Sequence, residues 1–507
     1  MNTVILDSPY TRFAAEHLMV TKRADVRVER DELGEVHLPA QAYYGAKTAR
    51  LREVLPHGGL KVHPKLLESL LLVKKACAAA NLECKKLDPQ IARAIMQAAD
   101  ETIQGQWRDQ FVLEIMSSGA GTALNININE VLANRAQEIL GGSLGTYELV
   151  HPTKHVDLAQ SANDVFPTAM RIAILLASRD FEPVLLDLER LLRRKSLEFE
   201  RVIKMGRSHL QDALPITLGQ EFNAFGSSIE RCLKRIKEAG VGLTEMNIGA
   251  SYIGTGLGTD SKYVSTAVEK LSQYSGIRLR QSDDFFRISQ SMSDFVEFSS
   301  ALKELSVELT KIGNDLRLLS SGPNTGFNEI TAPELIVEKS LIRPGTLPNR
   351  RVPTLVECVN MASCQVFGND MVVALAAQSG QFESNIMTPL IIHNILQSLD
   401  LLRSTIEPFN SKYLRAITAN HSVCNTQMED AGVVLAVASN RLGDKRAQEL
   451  TKEAEQADLS LKELIIQRGL IPKDELERML SYKELTGTNA AFSGSDERDT
   501  TSGAALD

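Results

Sequence analysis

Residues 298–319 read FSSALKELSVELTKIGNDLRLL, and the spacing of their apolar side chains decides the architecture. Phe298, Leu302, Leu305, Leu309, Ile312, Leu316 and Leu319 follow one another at intervals of 4, 3, 4, 3, 4 and 3. That alternation lays one apolar seam along one side of a helix about 33 Å long. Upstream, Leu218, Phe222, Phe225, Ile229, Cys232 and Ile236 repeat the pattern at 4, 3, 4, 3 and 4. Downstream, residues 355–381 carry Val359, Ala362, Val366, Val373, Ala376 and Gly380, small enough for several helices to approach closely. Helices of this length with apolar seams need partners, within the chain or across subunits. With 17 prolines and 32 glycines in 507 residues, long uninterrupted helices are possible. The expected fold class is mostly α, with a central long-helix bundle.

The chain divides by pattern around this centre. Residues 1–25 read as an irregular N-terminal extension and 26–160 as an N-terminal domain, in which 65–84 is apolar, free of Gly and Pro, and helical. Residues 161–420 form the central helical-bundle domain. Residues 421–487 form a small, more charged C-terminal helical domain, with a helix start at Ile471-Pro472 followed by Asp474-Glu475-Leu476. Residues 488–507, rich in Ser, Thr, Gly and Asp, read as a disordered tail.

Fifty-six basic against 64 acidic residues give a net charge of −8, which argues against a dominant surface for nucleic acid or anionic membrane. Hydrophobic residues at 43% and charged residues at 24% are the balance of an ordinary globular protein, so most of the chain is not disordered. The cysteines Cys77, Cys84, Cys232, Cys358, Cys364 and Cys424 are sparse and form no CxxC pair. Neither a zinc site nor a disulfide framework is suggested, and reduced thiols fit a cytoplasmic protein. The first residues hold no signal-like apolar core, and no apolar run reaches the length of a membrane span. No metal or cofactor motif is expected.

Four polar, glycine-bearing clusters interrupt the helical pattern: SSGAGTALN (117–125), QSAND (160–164), MGRSHLQD (205–212) and SSGPNTGFNE (320–329). Such turns can aim hydroxyls, amides and backbone N–H groups at one small anion, although Ser, Asn and Asp beside helices are more often caps. GTGLGT (254–259) is not a phosphate loop, because no Gly-Lys-Ser/Thr follows and no strand pattern precedes it. His209, taken alone, reads more readily as a satisfied structural histidine than as a catalytic one. Arg343, Arg350 and Arg351 lie in a Pro/Gly-bearing loop, either a solvated surface or an anion-contacting lid.

In this order and spacing, the segments resemble the aspartase/fumarase superfamily. The matching stretches are Tyr43-Tyr44-Gly45 with Thr48 and Arg50, GAGTALNININE (119–130), KMGRSHLQDALPITLGQEF (204–222) and IGTGL (253–257). NDLRLLSSGPNTGFNEI (314–330), VFGND (366–370) and ITAN (417–420) complete them, so the resemblance covers about 26–485. GFNEI and LQDALPITLGQEF look more like the aspartase (aspartate ammonia-lyase) branch than the fumarase branch. The resemblance implies a mostly α-helical, three-domain subunit and a homotetramer whose long helices form the core. It also implies active sites where segments of three subunits meet, and reversible β-elimination from a succinyl skeleton, a small dicarboxylate, without a cofactor. Removing a proton beside a carboxylate makes a doubly charged aci-carboxylate, which needs several preorganised donors. By resemblance, Thr122, Ser161 and Asn163 would contribute to that set and to binding the leaving group. Ser208, where the family has threonine, and His209 would contact the leaving amine or a bound water. Ser340 aligns with the serine general base.

The base loop departs from the family's GSSIMPxKxNP. Here the stretch is VEKSLIRPGTLPNRRVP (337–353), about five residues longer. Glu338 and Lys339 replace the glycine and first serine. The lysine and asparagine that hold the second carboxylate have no clear match, and Arg350 falls near the lysine position. Arg343 and Arg350 are the candidate replacements. Ala162 replaces a threonine and Ala123 a common serine. Three functions fit: an active lyase on a different substrate such as an N-substituted aspartate, which run backwards would add an amine to fumarate; a plain aspartase or fumarate hydratase with an unusual loop; or an inactive member with a binding or structural role. Retention of Ser340, Ser208, His209 and Asn163 favours the first over the third, because an inactive site need not keep them.

Overall fold

A computed structural model describes residues 26–55, 57–334, 353–430 and 432–486. In chain order, strands β1 (Val26–Asp31) and β2 (Gly34–Pro39) lead to helices α1 (Ala46–Val54), α2 (Pro64–Glu83), α3 (Pro89–Ile103) and α4 (Thr122–Ile139). The long α5 (Ala162–Glu198) precedes a hairpin of β3 (Ile203–Ser208) and β4 (Gln211–Thr217), then α6 (Leu218–Gly242). After them come β5 (Glu245–Met246), α7 (Ser261–Ser275), β6 (Arg280–Gln281), α8 (Ser293–Leu319) and β7 (Ile330–Thr331). Helices α9 (Thr354–Gln378) and α10 (Thr388–Pro408), strand β8 (Thr418–Ala419) and shorter helices from His421–Asp430 to Tyr482–Thr486 complete the described chain. The chain is mostly helical, as the seams predict, and every described sheet is a two-stranded pair.

The chain falls into two compact units. The first takes in the described residues up to Asp180, with Ile236–Leu302 and Val366–Asp400. The second takes in Phe181–Arg235, Lys303–Gln365 and the described residues from Leu401. The division falls inside α5, α6, α8, α9 and α10.

Helix starts in the first unit follow from local chemistry. Pro64 opens α2, where its missing N–H costs no hydrogen bond, and His63 Nδ1 accepts from the N–H of Lys65 at 3.1 Å. Asp88 and Pro89 repeat the device at α3, the Asp88 carboxylate accepting from Gln90 N at 2.8 Å. Helix α2 packs against α3 and α7, burying Leu70, Val73, Ala76, Cys77 and Ala80 completely. Arg171 of α5 is also fully buried. It donates to the Gly242 carbonyl at 2.9 Å, pairs with Asp294 at 2.8 Å and lies over the Phe295 ring.

Both counted seams are buried: no seam residue of α6 is more than 3% exposed, and none of α8 more than 4%. Burying one such Leu or Phe side chain is worth about 1.5–3 kcal/mol. In the second unit Phe199, Phe222 and Phe225 stack edge to face, with centroids 5.2 and 5.6 Å apart. In the 355–381 stretch, Val359, Ala362, Val366, Val373 and Ala376 are buried on α9, whereas Gly380 lies exposed beyond its end.

The β3–β4 hairpin interrupts a region where sequence periodicity points to helix. Gly206 and Pro215 disfavour helix, and the register shifts between Met205 and Arg207, a bulge at Gly206. A Cβ on Gly206 would sit 2.7 Å from the Leu214 carbonyl oxygen, so the strands approach where only glycine fits. All six cysteines are free thiols, and Cys77, Cys232 and Cys424 are buried. Among the described residues no helix is long and apolar enough to cross a membrane.

Candidate active site

Two helices of the first unit begin at one cavity. Helix α4 starts after a tight turn in which Ala120 and Gly121 take positive φ, 53° and 69°. A Cβ on Gly121 would lie 2.1 Å from the Phe166 ring, so the turn requires glycine. The hydroxyl of Ser118 accepts from Ala123 N at 2.8 Å, and Thr122, the first residue of α4, is exposed. Such a helix N-terminus presents backbone N–H groups and a positive dipole end, both suited to an anion.

Ser161 caps the start of helix α5. Its hydroxyl accepts from Asn163 N at 3.2 Å, while its own N–H donates to the Asp164 carboxylate at 2.9 Å, a reciprocal cap. Asn163 Nδ2 donates to the Tyr252 carbonyl at 2.9 Å, and Asn247 Nδ2 to the Asn163 carbonyl at 3.3 Å. Thr122, Ser161, Ala162 and Asn163 line a cavity of about 910 Å³, with Asn125, Asp157 and Ser251 on its wall. Behind that wall Lys74, fully buried, holds Asp157 at 2.6 Å and Gln160 at 3.1 Å. Glu130 reaches the same cavity. Its carboxylate accepts from the N–H groups of Gly45, Lys47 and Thr48 at the start of α1, at 2.8, 3.1 and 3.1 Å. Burial raises its pKa despite those donors.

A second constellation belongs to the second unit. Ser208 and Gln211 pair across β3 and β4, leaving His209 and Leu210 as a two-residue turn with φ of 56° and 59°. Positive φ at both central positions is what a type I′ hairpin turn demands, and Asn-Gly usually supplies it. His209 lines a cavity of about 430 Å³ with Lys204, Arg207, Glu221, Lys311 and Asp315. Below the turn, the fully buried Glu329 pairs with Lys204 and Arg207, each at 2.8 Å, and Lys204 also meets Glu221 at 3.0 Å. The Arg207 guanidinium lies 4.2 Å from the Phe327 ring centroid. Burial pushes the Glu221 carboxyl up from its ordinary value, against the pull of Lys204.

Known proteins resemble this chain along almost its whole length. A family model described as lyase matches residues 34–368. Aspartate ammonia-lyase from Bacillus sp is 39% identical over 464 residues, 91% of this chain and 98% of the relative. Fumarate hydratase class II from Thermosynechococcus vestitus is 37% identical over 464 residues, again 91% and 98%. The chain belongs to the aspartase/fumarase superfamily. A solved structure of fumarate lyase:delta crystallin from Brucella melitensis, bound to cobalt, aligns with a TM-score of 0.83 at 38% identity, over 90% of this chain and 98% of that one.

For this lyase, the sequence-predicted residues separate into three groups. Thr122, Ser161 and Asn163 come together in the cavity of the first unit. Ser208 and His209 sit together at the hairpin turn of the second unit, both exposed. Ser340, Arg343 and Arg350 lie outside the described residues. Of the two departures upstream of the base loop, Ala162 lines the cavity where a donor would stand, whereas Ala123 is buried at 2% exposure. Among the described residues no group of three His, Cys, Asp or Glu side chains is placed to hold a metal. Sequence reasoning assigned no role to Asp164 or Glu329, nor to the Gly249, Ser251, Lys204 and Arg207 that they bind. The only signal was local: Ser161 and Asp164 stand at capping-box spacing, and Lys204 and Arg207 flank the bulge glycine.

Proposed function

We propose that this chain is a carbon–nitrogen lyase catalysing reversible β-elimination on an aspartate-like or N-substituted-aspartate-like succinyl substrate, giving fumarate and ammonia or an amine. One observation carries the reading: the N-terminal turns of α4 and α5 deliver Thr122, Ser161 and Asn163 to one cavity. In the forward direction a base takes a proton from the carbon beside one carboxylate, leaving an aci-carboxylate. The C–N electron pair then leaves with nitrogen as the double bond forms. Thr122, Ser161 and Asn163 are assigned to the anionic carboxylate, and Ser208 and His209 to the departing amine. Ser340 is assigned as the base by resemblance alone, with Arg343 and Arg350 in place of the family's lysine and asparagine. Water exclusion around a serine base would strengthen the local field it needs. Ala162 leaves one donor fewer, which costs on the order of 1.5–3 kcal/mol for a buried anion unless the ligand or a water compensates. That deficit, with the altered base loop, favours a substrate other than plain aspartate.

The same reading makes the working form a cytoplasmic homotetramer of three-domain subunits, with each site completed by neighbouring subunits. Support comes from α9, which buries Val366, Val373 and Ala376 on one side and exposes Phe367, Met371 and Leu375 on another.

The test follows fumarate by its ultraviolet absorbance, with L-aspartate, malate, argininosuccinate and several N-substituted aspartates as substrates. The reverse reaction, fumarate plus amines, is read by mass. Turnover of a substituted aspartate, abolished by Ser340→Ala with assembly intact, is the expected result. Fumarate from L-aspartate alone would make the chain an ordinary aspartase. No product in either direction would sink the lyase assignment.

A further inference from the structure

The polar turn that carries Ser161 and Asn163 is held from inside by a residue that does not itself face the cavity. Asp164, the third residue of α5, is fully buried. One carboxylate oxygen accepts from Ser161 N at 2.9 Å. The other accepts from Gly249 N and Ser251 N, each at 3.1 Å. Gly249 cannot be replaced without a clash, since its φ is 94° and a Cβ would lie 2.3 Å from a Val264 methyl. Around this centre the same two segments are tied again, by Asn163 Nδ2 to the Tyr252 carbonyl and by Asn247 Nδ2 to the Asn163 carbonyl. Ser161, Asn163, Ser251 and Tyr252 all line the cavity. A single carboxylate thus joins two chain segments that form one wall.

We propose that Asp164 is the positioning residue of the succinyl-binding wall: its ionised carboxylate, by gathering the N–H groups of Ser161, Gly249 and Ser251, sets where Ser161, Asn163 and Ser251 meet the ligand. The inference rests on the lyase reading of this cavity.

No lysine or arginine pairs with Asp164 among the described residues. Its stabilisation comes from three peptide N–H groups and the N-terminal dipole of α5. The titratable groups facing it are Asp157 on the turn before α5, Cys77 on α2 and Tyr263 on α7. Burial keeps the thiol and the phenol neutral, pushing Cys77 up to about 12 and Tyr263 well above its ordinary value. Lys74, the nearby cation, is engaged by Asp157 and Gln160. Burial first, and Asp157 in addition, push Asp164 up to about 7.

The sign of the linkage gives a signature. A carboxyl whose folded pKa lies above its unfolded value binds a proton more readily when folded. Its contribution to stability is therefore present at low pH and lost as pH rises through about 7. Ligand binding needs the opposite state, because only the carboxylate accepts all three N–H bonds. As pH falls from about 8 to about 6, Asp164 should make the fold more stable and the wall looser. A residue that merely supported the fold would move both in the same direction.

The experiment is calorimetric titration of the full chain and of Asp164→Asn with fumarate and with succinate at both pH values. Thermal midpoints and amide hydrogen exchange over residues 157–164 and 247–254 accompany it. Wild type should bind. Asp164→Asn should bind at least about tenfold more weakly, exchange faster in both segments and lose the wild-type difference between the two pH values. Binding and exchange equal to wild type in Asp164→Asn would overturn the positioning role while leaving the lyase reading intact. A wild-type chain that binds no four-carbon dicarboxylate and makes no product would instead overturn the lyase reading, and the positioning role with it. Should the variant not fold, wild-type exchange decides: protection over 247–254 should fall relative to α2 as pH drops through about 7, and unchanged protection overturns the proposal.

Discussion

His209 is held at a φ of 56°, in the left-handed region that side-chain-bearing residues seldom enter. With Leu210 it forms a two-residue turn in the left-handed region, a conformation that costs about 1–3 kcal/mol for residues other than glycine. Both side chains are exposed, so packing against a core does not explain the choice of residues. Strain kept at an exposed imbalance of this kind points to the side chain as the reason. Asparagine tolerates the same backbone and forms type I′ turns readily. His209→Asn should therefore leave the thermal midpoint unchanged or slightly higher, while turnover of the substrate found in the elimination panel drops by about a hundredfold or more. His209→Gly should lose turnover equally and gain up to about 1 kcal/mol of stability. Full activity in both variants would remove His209 from the site.

At the level of elements, the hairpin that carries this turn stands on one buried carboxylate. Lys204 and Arg207 of β3 meet Glu329, just ahead of β7, and the Glu329 carbonyl also accepts from Asn420 N at 2.8 Å. Glu329→Gln keeps the shape but removes the charge, leaving Lys204 at 2% exposure with Glu221 as its remaining acid. Breaking a buried pair from one side costs about 3–5 kcal/mol. A urea melt of the assembled protein should show that loss, and Lys204→Met in the same chain should recover part of it. An unchanged midpoint for Glu329→Gln would mean the network carries no stability. The network also marks the limit of what could be read from the sequence. The seams of α6 and α8, the helical stretch over 65–84 and the helix after Pro472 follow from spacings of a few residues, and they were legible. The pairing of Lys204 with Glu329, or of Asp164 with the N–H groups of Gly249 and Ser251, joins segments far apart in the chain. No local pattern encodes those contacts. The hairpin itself was hidden because its strands are short: MGRSHLQD read as a polar interruption between helices, and too few residues alternate on either side of it to mark β3 and β4. Thr122, Ser161 and Asn163 were found through resemblance, and their convergence on one cavity required the folded chain.

For the whole molecule, α9 carries a regular apolar stripe on its exposed side as well as on its buried one. Phe367, Met371 and Leu375 follow at four-residue intervals and are 40%, 62% and 51% exposed, while Val366, Val373 and Ala376 are buried. A helix apolar on both sides normally has both sides covered. Leaving three large side chains in water forgoes about 1.5–3 kcal/mol each. A second copy of the chain is the covering partner that the tetramer assignment supplies, since closed symmetric assemblies bury the same patch repeatedly. Sedimentation of the wild-type chain should then give the mass of four subunits. Met371→Glu with Leu375→Glu should shift it to smaller species, with helical circular dichroism retained, because the substituted side chains are solvated in the free subunit and desolvated only at the interface. Turnover should fall with assembly rather than with folding, since a site completed by several subunits is lost when they separate. An active wild-type monomer would break this link, and with it the assignment of shared sites.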